Sequence, residues 1–162
     1  MNNDEVMAVL RDATVEQFMQ KQIIMRLAYT GTDGAPRVIP IGYQWDGAHF
    51  LVYTPPIAPK VKALRRNPGV AVTIDTDAFP PNILLVRGTA TIDVVEGVPQ
   101  GYVEASRRVV PPEQWDQWLS QVTVLYKQMA IISVTPTWAK FIDFQTTLPE
   151  TVEKLLRQAG MA

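Results

Sequence analysis

The sequence predicts a mainly β protein: six or seven antiparallel strands closing wholly or partly into a barrel, with helices at the periphery. Three observations carry that prediction. Short β-branched and aromatic runs recur along the chain, each bounded by Gly, Pro, Asn or Asp. Gly31-Thr32-Asp33-Gly34 and Asp46-Gly47 supply tight-turn chemistry between successive runs. Three runs, 39–41, 70–74 and 83–86, are apolar at almost every position. One face of such a strand fills an interior, and the other needs a cover.

Taken in order, residues 6–11 and 14–22 read as short helices. In the second, Val15, Phe18, Met19 and Gln22 fall on one side, and Thr14 is placed to cap it. Residues 23–30 form the first strand and 36–44 the second, in which Pro40 marks an edge or a bulge. Residues 48–54 form the third, and the three together read as an antiparallel meander. Pro55-Pro56-Ile57-Ala58-Pro59 is a stiff connection into a short helix at 60–66, closed by Asn67-Pro68-Gly69. Residues 70–75 make a fourth strand, 77–81 a loop and 82–95 a long fifth strand. Gly88 within it marks a bend or bulge where a barrel closes. A loop at 96–100 leads to helices at 102–109 and 112–127. The latter has Pro112 near its start and an apolar stripe of Trp115, Trp118, Leu119, Val122 and Leu125. Residues 129–135 and 138–144 read as strands six and seven, reversed at Thr135-Pro136, and 149–159 as a terminal helix. No repeat interrupts this order, so 1–162 reads as one domain with a helical insertion at about 96–128.

Composition excludes several classes of function. The chain has 162 residues, 47% of them hydrophobic and 19% charged, which is a globular balance. Its net charge of -1 gives no electrostatic footprint for nucleic acid. Cysteine is absent, which removes thiol nucleophiles, thiolate metal sites and disulfides. His49 is the sole histidine, so neither a histidine metal site nor a catalytic triad is expected. Residues 1–5 lack a signal-peptide pattern, and no apolar stretch reaches the roughly 20 residues of a membrane span. The expectation is a cytoplasmic protein with a small-molecule substrate and no membrane or nucleic-acid partner. Asp75, Asp77, Asp93 and His49 read as solvated residues at strand ends, and no side chain is assigned a catalytic role.

The most informative stretch runs from Tyr53-Thr54 through the proline-rich connection to Lys60, Lys62 and Leu64. A strand ends in a hydroxyl residue, and the helix that follows carries lysines in its first turn. Cations there oppose the helix dipole, by about 0.3–1 kcal/mol each. An anion would resolve the conflict: a phosphate gathers free backbone N–H groups, the Thr54 hydroxyl and lysine charge. The alternative is a solvated basic helix after a stiff turn.

Four segments together resemble one family. They are Asp33-Gly34-Ala35-Pro36-Arg37 opening the second strand, Tyr53-Thr54 with Lys60 downstream, Arg66-Asn67-Pro68-Gly69-Val70 leading into the fourth strand, and Val86-Arg87-Gly88-Thr89-Ala90 in the fifth. In this order and spacing the chain resembles the pyridoxamine 5′-phosphate oxidase-like, flavin-binding split-barrel superfamily. The resemblance implies a split β-barrel built as a homodimer, with a cofactor at the subunit interface. It implies that Thr54 and Lys60 hold the cofactor phosphate, with Lys62 a third contact. The ring would lie against the second strand at Val38, Ile39, Pro40 and Ile41, beside Tyr53 and near Val72 and Thr73. The implied activity is an oxidoreductase using FMN, or alternatively the deazaflavin F420. A non-catalytic flavin- or haem-like carrier and a structural module with a decayed site are the rivals. Three departures argue against oxidation of pyridoxamine phosphate itself. Pro59 stands where those oxidases have an arginine, Gly42-Tyr43 stands where they have a lysine, and their arginine–histidine tail motif is missing.

Overall fold

The computed structural model describes residues 1–161. Helices α1 (Asn3–Leu10) and α2 (Ala13–Lys21) precede strands β1 (Ile24–Thr30), β2 (Pro36–Gly42), β3 (Gln44–Trp45) and β4 (Phe50–Thr54). Helix α3 (Pro59–Arg66) leads to β5 (Gly69–Asp75) and β6 (Ile83–Glu96). Helices α4 (Gln100–Ser106) and α5 (Trp115–Leu125) then precede β7 (Gln128–Ile142) and α6 (Glu150–Gln158).

All seven strands pair antiparallel in one sheet, ordered β2-β1-β5-β6-β7-β4-β3. Met25 and Leu27 of β1 share a single core with Phe50 and Val52 of β4, four strands away along the sheet. The sheet therefore curls until its two halves face each other. Its edge strands β2 and β3 do not pair, so the barrel is split. This is the mainly β split barrel that the sequence predicts. The chain itself bridges the seam: β2 ends at Gly42, Tyr43 crosses, and β3 begins at Gln44. Tyr43 is buried, and its hydroxyl donates to the Met19 carbonyl at 3.0 Å.

The helices plug and position. Val6 and Leu10 of α1, with Val15, Phe18 and Met19 of α2, join the barrel core, as do Val61 and Leu64 of α3. Asn2 and Glu5 cap α1 reciprocally. Asp12, and not Thr14, caps α2, accepting from the Thr14 and Val15 N–H groups at 2.8 and 3.3 Å.

Two sequence expectations are corrected. The first three strands are not a meander. The β1–β2 and β3–β4 hairpins form as expected, but they lie at opposite ends of the sheet, and β4 pairs with β7. Nor does Thr135-Pro136 reverse the chain. β7 is one 15-residue strand paired along β6. The register shifts at Gly88, opposite Pro136, and leaves Thr137 as the extra residue of a bulge. A proline without an N–H is tolerated in a central strand at such a bulge. The opposing glycine allows the approach. A Cβ at Gly88 would lie 2.5 Å from the Thr135 carbonyl oxygen.

Candidate functional site

Period-2 alternation places Phe50, Val52 and Thr54 of β4 inward, with Leu51 and Tyr53 on the opposite face. Thr54 is thus delivered to the interior, only 4% exposed, and its hydroxyl is, with that of Tyr43, one of the few polar groups carried by a buried side chain. The connection turns back on itself, Ala58 N–H donating to the Pro55 carbonyl at 3.0 Å, and Pro59 opens α3 at a position where no N–H is needed. Lys60 then reaches back so that its Nζ donates to Thr54 Oγ1 at 3.1 Å.

Lys60 is half-buried, and burial lowers its ammonium below the ordinary lysine range. Among the described residues no carboxylate pairs with it. The α3 N-terminus has no side-chain cap. A half-buried cation with a neutral hydroxyl for a partner, beside an uncapped helix start, leaves unmet demand for negative charge. These residues fit a phosphate. Lys62 is exposed and stands about 200° round the helix from Lys60. Arg65 and Arg66 are exposed in the last turn, where they complement the helix dipole.

A cleft of about 270 Å³ opens at the barrel seam on the other face of β4. Ile41, Gly42 and Tyr43 form one wall, Tyr53 the floor, and Tyr102, Ala105 and Ser106 of α4 the roof, with Ile23, Ile24, Arg108 and Val109 at the sides. The helical insertion docks directly on Tyr53. A Cβ on Gly101 would lie 2.0 Å from the Tyr53 hydroxyl, so a side chain there is incompatible with the contact. That hydroxyl donates to Gln44 Oε1 at 2.7 Å. Behind the roof stand Trp118, stacked on Trp115 at 5.0 Å, and Tyr126, both against Tyr102.

Arg108 fixes the far end of the insertion. Its Nη2 donates to the carbonyls of Met19, Gln20 and Gln22 at 3.2, 2.8 and 3.1 Å, and its Nη1 to that of Tyr43 at 3.4 Å. The guanidinium thus caps the C-terminal end of α2, where the helix dipole favours a cation. Burial raises the pKa of Tyr43, Tyr53 and Tyr102 alike, which keeps these phenols protonated, and the hydroxyls of Tyr43 and Tyr53 act as donors.

The structure brings some of the residues singled out in the sequence together and separates others. Thr54 and Lys60 are in contact. Ile41 and Tyr53 line one cleft. Val38 is 66% exposed and Pro40 is exposed, on the outer face of edge strand β2, whereas Ile39 and Ile41 turn half-buried toward the core. Val72 is a core residue, and Thr73 points to the outer face of β5. Strand β1 separates both from β2, and neither lines the cleft. Sequence reasoning missed Ile23, Ile24, Gly101, Tyr102, Ser106 and Arg108. The available signal was Gly101-Tyr102 at the start of the insertion, a small residue beside an aromatic one. Trp115 and Trp118 pack behind Tyr102 and do not line the cleft.

The other titratable residues are accounted for on the surface. Asp75 pairs with Arg26 across β1 and β5, His49 lies 3.3 Å from Asp46, and Asp77 and Asp93 are exposed. Among the described residues no three acidic or histidine side chains gather as a metal site would require. No helix among them is long and apolar enough to cross a membrane.

Comparison with known proteins places this arrangement. The family model described as pyridoxamine 5′-phosphate oxidase matches residues 12–142. Among solved structures, a conserved hypothetical protein of Mycobacterium tuberculosis is 19% identical, with a TM-score of 0.64 over 86% of this chain and 93% of its own. An F420 reductase is 23% identical, with a TM-score of 0.57 over 77% of this chain and 94% of its own. The haem storage protein of Vibrio cholerae is 16% identical, with a TM-score of 0.57 over 80% and 92%. At these identities the likeness is one of fold. No curated protein matches the sequence.

Proposed function

Because the chain belongs to the pyridoxamine 5′-phosphate oxidase family, we propose that it is an FMN-dependent oxidoreductase acting on a small molecule. The observation that carries this reading is the Lys60–Thr54 pair: a half-buried ammonium without a counter-ion, held by a buried hydroxyl. Family members bind flavin or deazaflavin cofactors. In this reading Thr54 and Lys60 hold the cofactor phosphate, and Lys62 lends charge from the surface. Strand β2 is an edge, so alternate backbone groups along Val38, Ile39, Pro40 and Ile41 point away from β1 and are free to meet the polar rim of a ring. Tyr53 borders the same space, and Val72 and Thr73 act through their strand. When bound, the flavin supplies hydride transfer. The chain supplies anchoring, orientation and a largely apolar cleft.

The exposed apolar side chains on the outer face of the sheet, Ile24 and Val38, are assigned to a homodimer interface. This placement supports a cofactor site bordered by both subunits.

F420 is the second reading. The fold likeness to an F420 reductase favours it, as do exposed Lys62, Arg65 and Arg66 on the same helix as Lys60, which would serve an acidic tail. Equilibrium titration of the purified chain with each cofactor decides between them. Losing one charge-assisted hydrogen bond costs about 1.5–3 kcal/mol. Lys60→Ala is therefore expected to raise the cofactor Kd about 10- to 150-fold. If neither cofactor binds at micromolar concentrations, the reading fails.

A further inference from the structure

We propose that helix α6 pairs antiparallel with α6 of a second copy of this chain, forming a two-helix seam at the rim of the homodimer. The proposal rests on the dimer reading above, and it adds a contact that the sheet face does not supply.

The helix is divided by chemistry. Val152, Leu155, Leu156 and Ala159 fall within one arc of about 100° around it. Its charged residues all fall outside that arc. No α6 side chain is buried. Leu156 is half-buried against its own chain, but Val152 is 37% and Leu155 58% exposed, and Ala159 is exposed. A nine-residue helix is too short to persist in water alone and draws its stability from a covered apolar stripe. Here its own chain covers one edge of that stripe.

Charge, size and position point to a second copy. Glu150 pairs with Lys154 at 2.6 Å and Glu153 with Arg157 at 3.5 Å, so the charges of α6 cancel. It offers no cationic excess to an acidic lipid surface. Acidic residues lead and basic ones follow. An antiparallel neighbour therefore sets acid beside base, where a parallel one sets like beside like. A two-fold axis midway between Val152 and Leu155 sets each against the other across the seam and brings large Leu148 beside small Ala159.

Position links this seam to the sheet. Ile142 of β7 pairs with Ile83, Ile83 with Asp75, and Asp75 holds Arg26 of β1. Cross-strand partners share a face, so this row lies on the outer face that carries Ile24. The Glu150 carboxyl is held below its ordinary range by Lys154 and also by Lys140 of β7, which places the start of α6 beside that face. A stable interface buries about 800 Å² per partner, more than one short helix offers. The seam thus works with the sheet face and not alone.

The chain has no cysteine, so single introduced thiols report cleanly. The full chain carrying Leu155→Cys, treated with a short bis-maleimide, is expected to run as a covalent dimer on a denaturing gel. Lys154→Cys, on the charged face, is expected to stay unlinked. Leu155→Glu, at a position already exposed, should keep the circular dichroism of the fold and raise the dimer Kd about tenfold or more in sedimentation equilibrium. Equal linking of both thiols, no linking through Leu155→Cys, or an unchanged Kd in Leu155→Glu would overturn the proposal. An unsubstituted chain that sediments as a dimer while Leu155→Cys stays unlinked removes the helix seam and keeps the dimer. An unsubstituted chain that is monomeric at micromolar concentrations removes both, so the two failures are distinguishable.

Discussion

Adding one methyl group at Gly88 tests how the barrel is closed. A Cβ there would stand 2.5 Å from the Thr135 carbonyl oxygen, 2.9 Å from Val134 Cγ1 and 3.2 Å from the Thr135 carbonyl carbon. Non-bonded carbon contacts settle near 3.5–4.0 Å, so β6 and β7 must part by about 1 Å at the bulge. Two of the three obstructing atoms are backbone, and no rotamer change can relieve them. Overpacking of this kind costs about 1–3 kcal/mol, and a lost ladder hydrogen bond adds about 0.5–1.5. Gly88→Ala is therefore expected to destabilise the fold by about 2–4 kcal/mol. For a chain of this length that lowers Tm by about 5–15 °C. Urea and thermal denaturation followed by circular dichroism measure it, with Thr89→Ala, on the exposed face next door, as the neutral control. A Gly88→Ala loss below about 0.5 kcal/mol, the ordinary surface range, would refute the claim that this bulge requires glycine.

Arg108→Ala removes a donor from four carbonyls at the junction of α2, the seam and the insertion, of which that of Met19 keeps the Tyr43 hydroxyl. It is expected to cost about 1.5–3 kcal/mol in urea denaturation, and Arg108→Lys should recover only part because it lacks the planar fork. Gly101→Leu is expected to lift α4 from Tyr53 and expose that ring, read as greater accessibility of tyrosine to an aqueous quencher. Burial lowers the Lys60 pKa, so the folded apo chain bears a desolvation penalty below that pKa and sheds it as pH rises through it. Phosphate affinity should accordingly fall as pH climbs through a range below that of an ordinary lysine, and Lys60→Arg should flatten the profile, measured as cofactor Kd against pH.

What the sequence reveals follows what is local. The Asp46-Gly47 hairpin, the short helix after the proline-rich connection, the Gly88 irregularity and Pro40 on an edge strand are each dictated by a few neighbouring residues, and the structure has them all. The partner of β4 is not local. Nothing within 44–54 says that residues 130–134 will pair with it. Thr135-Pro136 looks like a turn because proline ordinarily ends pairing. Only the distant Gly88, which admits a close backbone approach, lets β7 continue. The site divides in the same way. Thr54 and Lys60 are six residues apart and were legible together, because a strand end and a helix start fix their geometry. The cleft was not, because its roof comes from an insertion whose Gly101 and Arg108 meet Tyr53 and α2 only through the tertiary fold. Val72 takes a place in the core, which its run alone does not fix: an apolar run marks a strand but does not say which of its residues the core will take.

The most direct measurement is a crystal structure of the chain grown with FMN. The account expects a phosphate oxygen within about 3 Å of Lys60 Nζ, the Thr54 hydroxyl turned toward it, and the ring running along β2. A phosphate seated elsewhere, with the Lys60–Thr54 contact undisturbed, would contradict it.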